Sequence, residues 1–201
     1  QLISRAVDPQ EGLLLRPIDF LHFERDLDDI TRIYNLAWAE NWGFCPVDRE
    51  DMRGLLGDGE LIDSAISFLV FLDDEPIAVS IGTPNIPGSG YEDRPRLPGM
   101  SRLWFEATRG RLKWLRREAF GRPDSWRQLL FGILPAYRGG AVGGLGVYGY
   151  VTIRERATEV GYKTGEASWT NRESTILNSG LKVLGAQQHK TFRVYERPIP
   201  S

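Results

Sequence analysis

Five glycines between a strand pattern and a helix pattern constrain this chain most. Residues 128–134 are almost continuously apolar and end at Pro135, which is typical of a central strand covered on both faces. Apolar residues then recur at helical spacing over 145–160. The glycines that join the two patterns are Gly139, Gly140, Gly143, Gly144 and Gly146. Because each glycine costs a helix about 0.5–1 kcal/mol relative to alanine, this start indicates a close approach of the backbone to another group.

The start of this helix is a candidate anion site. A helix N-terminus presents unsatisfied N–H groups and about half a positive charge, so it suits a phosphate. The alternative is that the glycines only let the helix pack tightly on the sheet, and the residues alone leave both interpretations open. No Gly-Lys-Ser/Thr follows the turn, which excludes a nucleotide-hydrolase loop, and the spacing does not make a dinucleotide fingerprint.

The remaining patterns predict an α+β domain with a mixed sheet. Strands are expected over 13–17, over 66–72 and 77–81 as an antiparallel hairpin, over 164–169 and over 189–196. Helices are expected from Phe23 to about Asn41, from an N-cap at Asp48 to Leu56, and over 174–184. Residues 83–100, rich in proline and glycine, form a long irregular connection.

Composition limits the class of protein. With 201 residues, 41% hydrophobic and 26% charged, the chain is expected to form one compact domain. No apolar run reaches the roughly 20 residues of a transmembrane helix, so a soluble, cytoplasmic protein is expected. The single Cys45 and the two histidines, His22 and His189, are too few for a protein zinc site, and no metal is expected.

One stretch of the chain is strongly basic. Residues 102–122 hold seven Lys and Arg against Glu106 and Glu118, with aromatic residues interleaved, whereas residues 1–63 hold fourteen acids against six bases. Such a run is most often a solvated face, but it also suits phosphates, an acidic protein or a membrane surface. It lacks a recognised nucleic-acid motif, so no nucleic-acid partner is expected.

The segment from Gly132 to Gly143, GILPAYRGGAVG, resembles the acyl-coenzyme A signature of the GCN5-related N-acetyltransferase (GNAT) superfamily. Residues 33–44 and 190–196 are similar to a little-characterised bacterial branch, whose members often carry this domain as the C-terminal half of a longer chain. The resemblance implies a single domain over 1–201 with a mostly antiparallel sheet flanked by helices. It also implies that the strand at 130–134 splays from the strand at 161–169, with pantetheine inserted between them.

The resemblance further implies acetyl-CoA or another acyl-CoA as co-substrate. The main chains of Ile133 and Leu134 are expected to pair with pantetheine, and the N–H groups of residues 139–144 to hold the pyrophosphate. The implied cofactor-binding residues are Ile133, Leu134, Arg138, Gly139, Gly140, Ala141, Val142, Gly143, Gly144 and Ser174. Ala141 stands where the loop usually has glycine, Ser174 where the family usually has Asn, and the last helix lacks the Tyr that usually acts as general acid.

Acyl transfer to an amine needs a base, an oxyanion donor and a proton for the leaving thiolate. A main-chain N–H near Leu134 is the expected oxyanion donor. Glu106 and Glu40 are candidate bases and Tyr195 is a candidate acid, although each is also typical of an ordinary surface or packed position. The expected acceptor pocket comprises Trp38, Asn41, Trp42 and Phe44, although the tryptophans are more simply explained as core residues. Cys45 is expected to be an inert small residue.

Three functions remain open from the sequence. The first is an N-acyltransferase that moves an acetyl or other acyl group from coenzyme A to a small amine or amino acid by direct attack. The second is an N-acyl amino acid synthase whose donor, an acidic acyl carrier protein, docks on residues 102–122. The third is a non-catalytic acyl-CoA-binding or interaction domain, which the missing Tyr and Ala141 favour.

Overall fold

The computed structural model describes residues 12–18, 23–56, 62–85, 124–139, 144–168, 170–195 and 197. The chain divides into two compact units, residues 1–169 and residues 170–201. The described part of the first unit contains a sheet of five strands in the order β1-β2-β3-β4-β5: β1 is Leu13–Pro17, β2 Phe68–Leu72, β3 Glu75–Pro84, β4 Ser125–Ile133 and β5 Thr164–Glu166. The first four strands pair antiparallel and β5 pairs parallel to β4, so the predicted mixed, mostly antiparallel sheet is confirmed.

The described ranges contain four helices: α1 is Phe23–Trp38, α2 Arg49–Leu56, α3 Leu145–Glu159 and α4 Thr175–Val183. The last of them belongs to the second unit. None of the helices in the described part of the chain is both long enough and apolar enough to span a membrane.

The β2–β3 hairpin and the start of α2 follow their sequence signals. Asp73 and Asp74 have φ of 49° and 68°, the left-handed pair that a two-residue hairpin turn requires. Asp48 caps α2 as predicted, because its Oδ1 accepts a hydrogen bond from the N–H of Asp51 at 2.8 Å. The N–H of Asp48 in turn donates to Asp51 Oδ2 at 3.4 Å.

Helices cover both faces of the sheet. On one face, α1 and α2 pack against alternate strand residues in a buried core formed by Phe23, Leu27, Ile30, Ile33, Met52, Leu56, Leu69, Val79, Ile81 and Leu134. On the other face, α3 lies against β4 so closely that a Cβ on Gly149 would stand 2.5 Å from the Phe131 ring. The Tyr150 ring packs on the same phenyl group, with centroids 4.5 Å apart. Burial raises the pKa of Tyr150 to about 12, so this phenol keeps its proton at neutral pH.

Charged side chains join α1 to α2. Glu24 accepts hydrogen bonds from Arg49 at 2.6 Å and from Arg53 at 2.5 Å, and Asp28 accepts one from Arg49 at 2.5 Å. These contacts lower the pKa of Glu24 to about 2, chiefly through the hydrogen bond from Arg53 and then that from Arg49. Deeper in α1, the fully buried Asp26 is paired with Arg16 of β1 at 2.7 Å, so the helix is fixed to the sheet edge as well.

Several element ends differ from their predicted positions. Helix α1 ends at Trp38 rather than near Asn41, because the N–H of Asn41 turns back to Trp38 O at 2.8 Å and Gly43 has a φ of 71°. Strand β5 ends at Glu166 rather than at 169, and Ser168 has a φ of 57° that interrupts extended backbone. Strand β4 is central as expected but only half-buried at several positions.

The predicted last strand over 189–196 is wrong for its described residues, because 189–195 form neither helix nor strand. Phe192, Val194 and Tyr195 are 75%, 76% and 83% exposed. A segment with alternating apolar residues forms a strand only where another strand can pair with its main chain. The sequence pattern does not show whether such a partner strand exists. Predictions for residues 86–123, including the basic stretch and Glu106, lie outside the described residues.

Replacing Gly149 with alanine should destabilise the protein by about 1–3 kcal/mol, because the added methyl group collides with the Phe131 ring. The control is Gly54→Ala in α2, where nothing lies within 4 Å of the new Cβ and alanine should stabilise the helix by about 0.5–1 kcal/mol. Denaturant unfolding measures both changes. A stabilising Gly149→Ala variant would contradict the packing of α3 on β4.

The Glu24 cluster should contribute to stability in a pH-dependent manner. Because the folded-state pKa is lower than the unfolded value, the contribution is complete above about pH 4.5 and disappears as the pH falls towards about 2. A Glu24→Gln variant should therefore lose less stability than the parent across that interval. Carboxyl NMR titration measures the Glu24 pKa directly, and a value near 4.5 would be inconsistent with the two arginine contacts.

Candidate active site

Strand β4 has two different neighbours. On one side it pairs with β3 up to its last residue, Ile133. On the other side, within the described residues, it pairs with β5 only at Ser125, Trp126 and Arg127, opposite residues 164–166. The two strands therefore share three paired positions, and no other strand of the described residues pairs with this side of β4 over 128–133, which we call the open edge. This edge corresponds to the separation of the two strands that the family resemblance implies.

The direction of the β4 main chain follows from its register with β3. The N–H of Leu134 donates to Ile77 O at 2.9 Å, so Leu134 points towards β3. In an antiparallel pair, alternate residues direct both main-chain groups to their partner and the others direct them away. Ile133 opposite Ala78 and Phe131 opposite Ser80 belong to the second set. Their N–H groups therefore face the open edge.

A bulge accompanies the opening. Ile81 pairs with Leu130 and Gly82 pairs with Gln128, which leaves Leu129 as an extra residue in β4. Such an insertion bends the strand and increases its twist. The amide nitrogen of the buried Gln128 side chain holds the bulge together, because its two hydrogens serve three acceptors: Ser80 Oγ at 3.1 Å, Ile81 O at 3.0 Å and Leu130 O at 2.5 Å. Its Oε1 is buried without a hydrogen-bond partner among the described residues.

The turn after β4 connects the open edge to the start of α3. Residues 135–137 form one 3-10 turn, and Tyr137 donates its hydroxyl to Glu75 at 2.8 Å, which raises the pKa of the phenol. Within the predicted diphosphate turn, Gly139 and Gly144 are described, and Gly140, Ala141, Val142 and Gly143 lie outside the described residues. Gly144 occupies the N-cap of α3 without a side-chain cap, and the first turn has no acidic residue. The first N–H groups of α3 thus meet no negatively charged side chain of that turn.

The predicted pantetheine contacts divide between two residues. The main chain of Leu134 is engaged on both sides, since its N–H donates to Ile77 O and its carbonyl accepts the N–H of Tyr137 at 2.9 Å. The carbonyl of Ile133 accepts Nε of Arg138 at 3.0 Å, while its N–H faces the open edge. The structure therefore offers the N–H groups of Ile133 and Phe131, rather than that of Leu134, as donors to a molecule at this edge.

The predicted acceptor residues lie at the end of α1, on the opposite face of β4 from α3. The Trp38 ring lies directly against Gly132 of β4, and a Cβ there would collide with it. Tyr34 stacks on Trp38 with centroids 5.1 Å apart and contacts Phe44 at 5.8 Å. Three of these aromatic residues thus form one packed group, whereas Trp42 is 77% exposed and Asn41 is exposed.

Asn35 is a structural contributor that the sequence patterns do not reveal. Its side-chain amide donates to Val47 O at 2.8 Å and accepts the N–H of Val47 at 3.0 Å, so it pairs with the main chain as a neighbouring strand would. This pair fixes the far end of the segment between α1 and α2. Cys45 within that segment is exposed.

Of the three proton-transfer candidates, the two that the structure describes are both exposed. Glu40 is exposed in the turn after α1, and Tyr195 is exposed in the second unit. Glu106 lies outside the described residues. Ser174 forms the N-cap of α4 in the second unit without a side-chain hydrogen bond to the helix. Within the described ranges, no three His, Cys, Asp or Glu side chains gather into a metal-binding group.

No protein-family model matches the chain. It is 26% identical over 190 residues to the bacterial ceramide synthase of Caulobacter vibrioides and 23% identical over 193 residues to protein YghO of Escherichia coli. Each alignment covers 94% of this chain and 47% of the relative. The chain thus spans about half the length of the curated relatives it matches.

Solved structures of acetyltransferases share the fold. An aminoglycoside acetyltransferase from a soil metagenomic sample, in complex with sisomicin, matches with a TM-score of 0.55, 12% identity and coverage of 95% of this chain and 100% of that chain. Aminoglycoside N-acetyltransferase AAC(6')-Iy in complex with CoA matches with a TM-score of 0.50, 14% identity and coverage of 96% and 99%. The fold of this chain is that of the GNAT acetyltransferases, as the resemblance at residues 132–143 predicts.

Replacing Asn35 with alanine removes both hydrogen bonds to Val47 and leaves two half-buried main-chain groups without them, so we expect a loss of about 1–3 kcal/mol. Asn35→Asp retains the side-chain oxygen that accepts the Val47 N–H, so this variant should lose less stability than Asn35→Ala does. Amide exchange at Val47 should accelerate in the order parent, Asp, Ala. Equal exchange in all three proteins would show that the pair does not hold this segment.

Proposed function

We propose that this chain is an N-acyltransferase domain, with an acyl-CoA at the open edge of β4 and the start of α3, and an amine that approaches from the end of α1. The observation that carries the proposal is the parting of β4 from β5 after three paired residues, with two N–H groups directed into the opening. The amide groups of pantetheine can add to such an edge as a neighbouring strand does.

The start of α3 supports a diphosphate at the same end of β4. Its glycine N-cap and its lack of acidic side chains in the first turn, together with the N–H groups that any helix start leaves without partners inside the helix, are the properties of an anion site. A Cβ added to Gly146 in this turn would lie at an ordinary contact distance of 3.8 Å from Ile133, so the helix begins directly beside the last residue of β4. One ligand with a diphosphate and an amide-bearing arm satisfies both features.

The reaction follows from these positions. The amine nitrogen attacks the thioester carbonyl carbon, the new C–N bond forms, and the C–S bond breaks. The N–H of Phe131 or Ile133 stabilises the negative charge on the carbonyl oxygen, because both point into the opening. The nitrogen loses a proton to a base or to water, and the thiolate takes one up. Glu40, Glu106 and Tyr195 stay predictions for these proton transfers.

The relatives favour a lipid product over a small hydrophilic one. The match to a protein named bacterial ceramide synthase covers 94% of this chain. Ceramide is the amide of a fatty acid and a long-chain amino alcohol, so that name implies formation of an N-acyl bond. We therefore place a long-chain acyl donor and a long-chain amine first among the substrates, ahead of acetyl groups and aminoglycosides.

The test combines each acyl-CoA of a chain-length series with a long-chain amino alcohol, an amino acid or an aminoglycoside, and measures the amide product by mass spectrometry. A long-chain amide from the amino alcohol is the expected product. An amide formed only from acyl carrier protein thioester would identify the donor as the carrier protein instead. CoA binding without any amide product would favour the non-catalytic alternative.

Charge at Gly146 tests the diphosphate position. Gly146→Glu and Gly146→Gln introduce side chains of similar size, but only the glutamate places a negative charge in the first turn of α3. The Gly146→Glu variant should therefore bind CoA roughly tenfold more weakly than the Gly146→Gln variant. The helix itself should be more stable with glutamate, since the dipole favours that charge. Calorimetric titration at low and high salt measures the difference, which should shrink as salt rises. Equal affinities for the two variants at low salt would exclude this site for the diphosphate.

A further inference from the structure

Arg138 joins two parts of the fold that are far apart in the chain. It follows the 3-10 turn after β4, and its N–H donates to Pro135 O at 3.3 Å. Its guanidinium donates through Nε to Ile133 O at 3.0 Å and through Nη2 to Ala37 O in the last turn of α1. One side chain therefore connects the end of β4 with the end of α1.

The contact with Ala37 has an electrostatic reason. The last carbonyl groups of a helix lack partners within the helix and carry a partial negative charge. The last turn of α1 contains no basic residue of its own. Arg138 supplies the missing cation and donor from another element, which makes the contact favourable in both respects.

The end of α1 leads directly into the acceptor-side segment, which we define as residues 38–44. The segment begins at Trp38 and contains two successive turns. In the first, the N–H of Asn41 donates to Trp38 O at 2.8 Å, and in the second, the N–H of Phe44 donates to Asn41 O at 3.1 Å. The Trp38 ring also lies on Gly132, one residue from Phe131 and Ile133. The same end of α1 is thus fixed to β4 twice, by ring contact at Gly132 and by the guanidinium of Arg138.

We infer that Arg138 is a positioning residue, whose guanidinium holds the acceptor-side segment at a set distance from the open edge of β4. This inference rests on the proposed function. It assigns the Arg138 side chain a role towards the amine substrate, whereas the family resemblance places Arg138 among the cofactor-binding residues. The guanidinium geometry supports the assignment, because two carbonyl groups on different elements need a planar donor with several N–H groups.

The kinetic test uses Arg138→Ala and Arg138→Lys, with Arg154→Ala on the exposed side of α3 as the control. Each protein is assayed with acyl-CoA and with the matching acyl-pantetheine, which lacks the diphosphate. We expect Arg138→Ala to raise the acceptor KM roughly tenfold with both donors, since a charged hydrogen-bonding group is lost. We expect Arg138→Lys to recover little of this loss, because a single ammonium does not bridge two carbonyls as a guanidinium does.

Three kinetic outcomes would overturn the inference. An effect seen with acyl-CoA and absent with acyl-pantetheine would place the guanidinium on the diphosphate. Full recovery in Arg138→Lys would show that positive charge alone is required. A fall in kcat with both substrate KM values unchanged would indicate only a smaller folded fraction, and would equally contradict a role in positioning.

A second measurement does not depend on catalysis. Hydrogen exchange at the amides of Asn41 and Phe44 should accelerate several-fold in Arg138→Ala and stay at the parent rate in Arg154→Ala, because only the first variant releases the end of α1. If the parent protein forms no amide product, the proposed function fails and exchange alone decides the inference. Unchanged exchange at both amides in Arg138→Ala would overturn it.

Discussion

The division of β4 between two neighbours is the constraint on which the rest of the structure depends. Strand β3 pairs with β4 from Trp126 to Ile133 apart from Leu129, and it accepts and donates main-chain hydrogen bonds at alternate residues of β4. Within the described residues, β5 pairs with β4 only at Ser125, Trp126 and Arg127. Main-chain N–H and C=O groups that bond to no neighbouring strand need another partner. A strand inside a sheet that lacks a neighbouring strand along part of one side can therefore bind a ligand there. The extra residue Leu129 and the buried amide of Gln128 stabilise the bend at which the two strands part.

Two glycines bring separate elements to this same end of β4. Gly132 admits the Trp38 ring on one face of the strand, and Gly149 of α3 admits the Phe131 ring on the other. Because successive strand residues alternate between faces, α1 and α3 approach the strand from opposite sides without competing for space. Helices α1 and α3 consequently both contact β4 within residues 131–133, although the two helices are far apart in the sequence.

The sequence predicts elements better than it predicts contacts. Local signals are sufficient for the N-cap at Asp48, for the aspartate turn between β2 and β3 and for the start of α3 at Leu145, since each depends on a few adjacent residues. The direction of the Leu134 N–H was not predictable, because it depends on the register of β4 with β3 and on the bulge between them. The pairing of Asn35 with Val47 and of Arg138 with Ala37 has no sequence signal either, as asparagine and arginine are ordinary at helix surfaces. The pattern at 189–195 was misleading for the opposite reason: its alternation is real, but alternation does not provide a partner strand.

The isolated, exposed Cys45 has a practical consequence for work on this chain. As the single cysteine of the sequence, its thiol offers one attachment point for a fluorophore or a spin label, without any need to remove others. It lies one residue beyond Phe44 and two before Val47, between the aromatic group and the main-chain pair with Asn35. A probe there would register rearrangements of the loop between α1 and α2 as they occur. The same accessible sulfur will react with the chromogenic disulfides commonly used to follow release of free coenzyme A, and a serine in its place would keep that background out of such measurements.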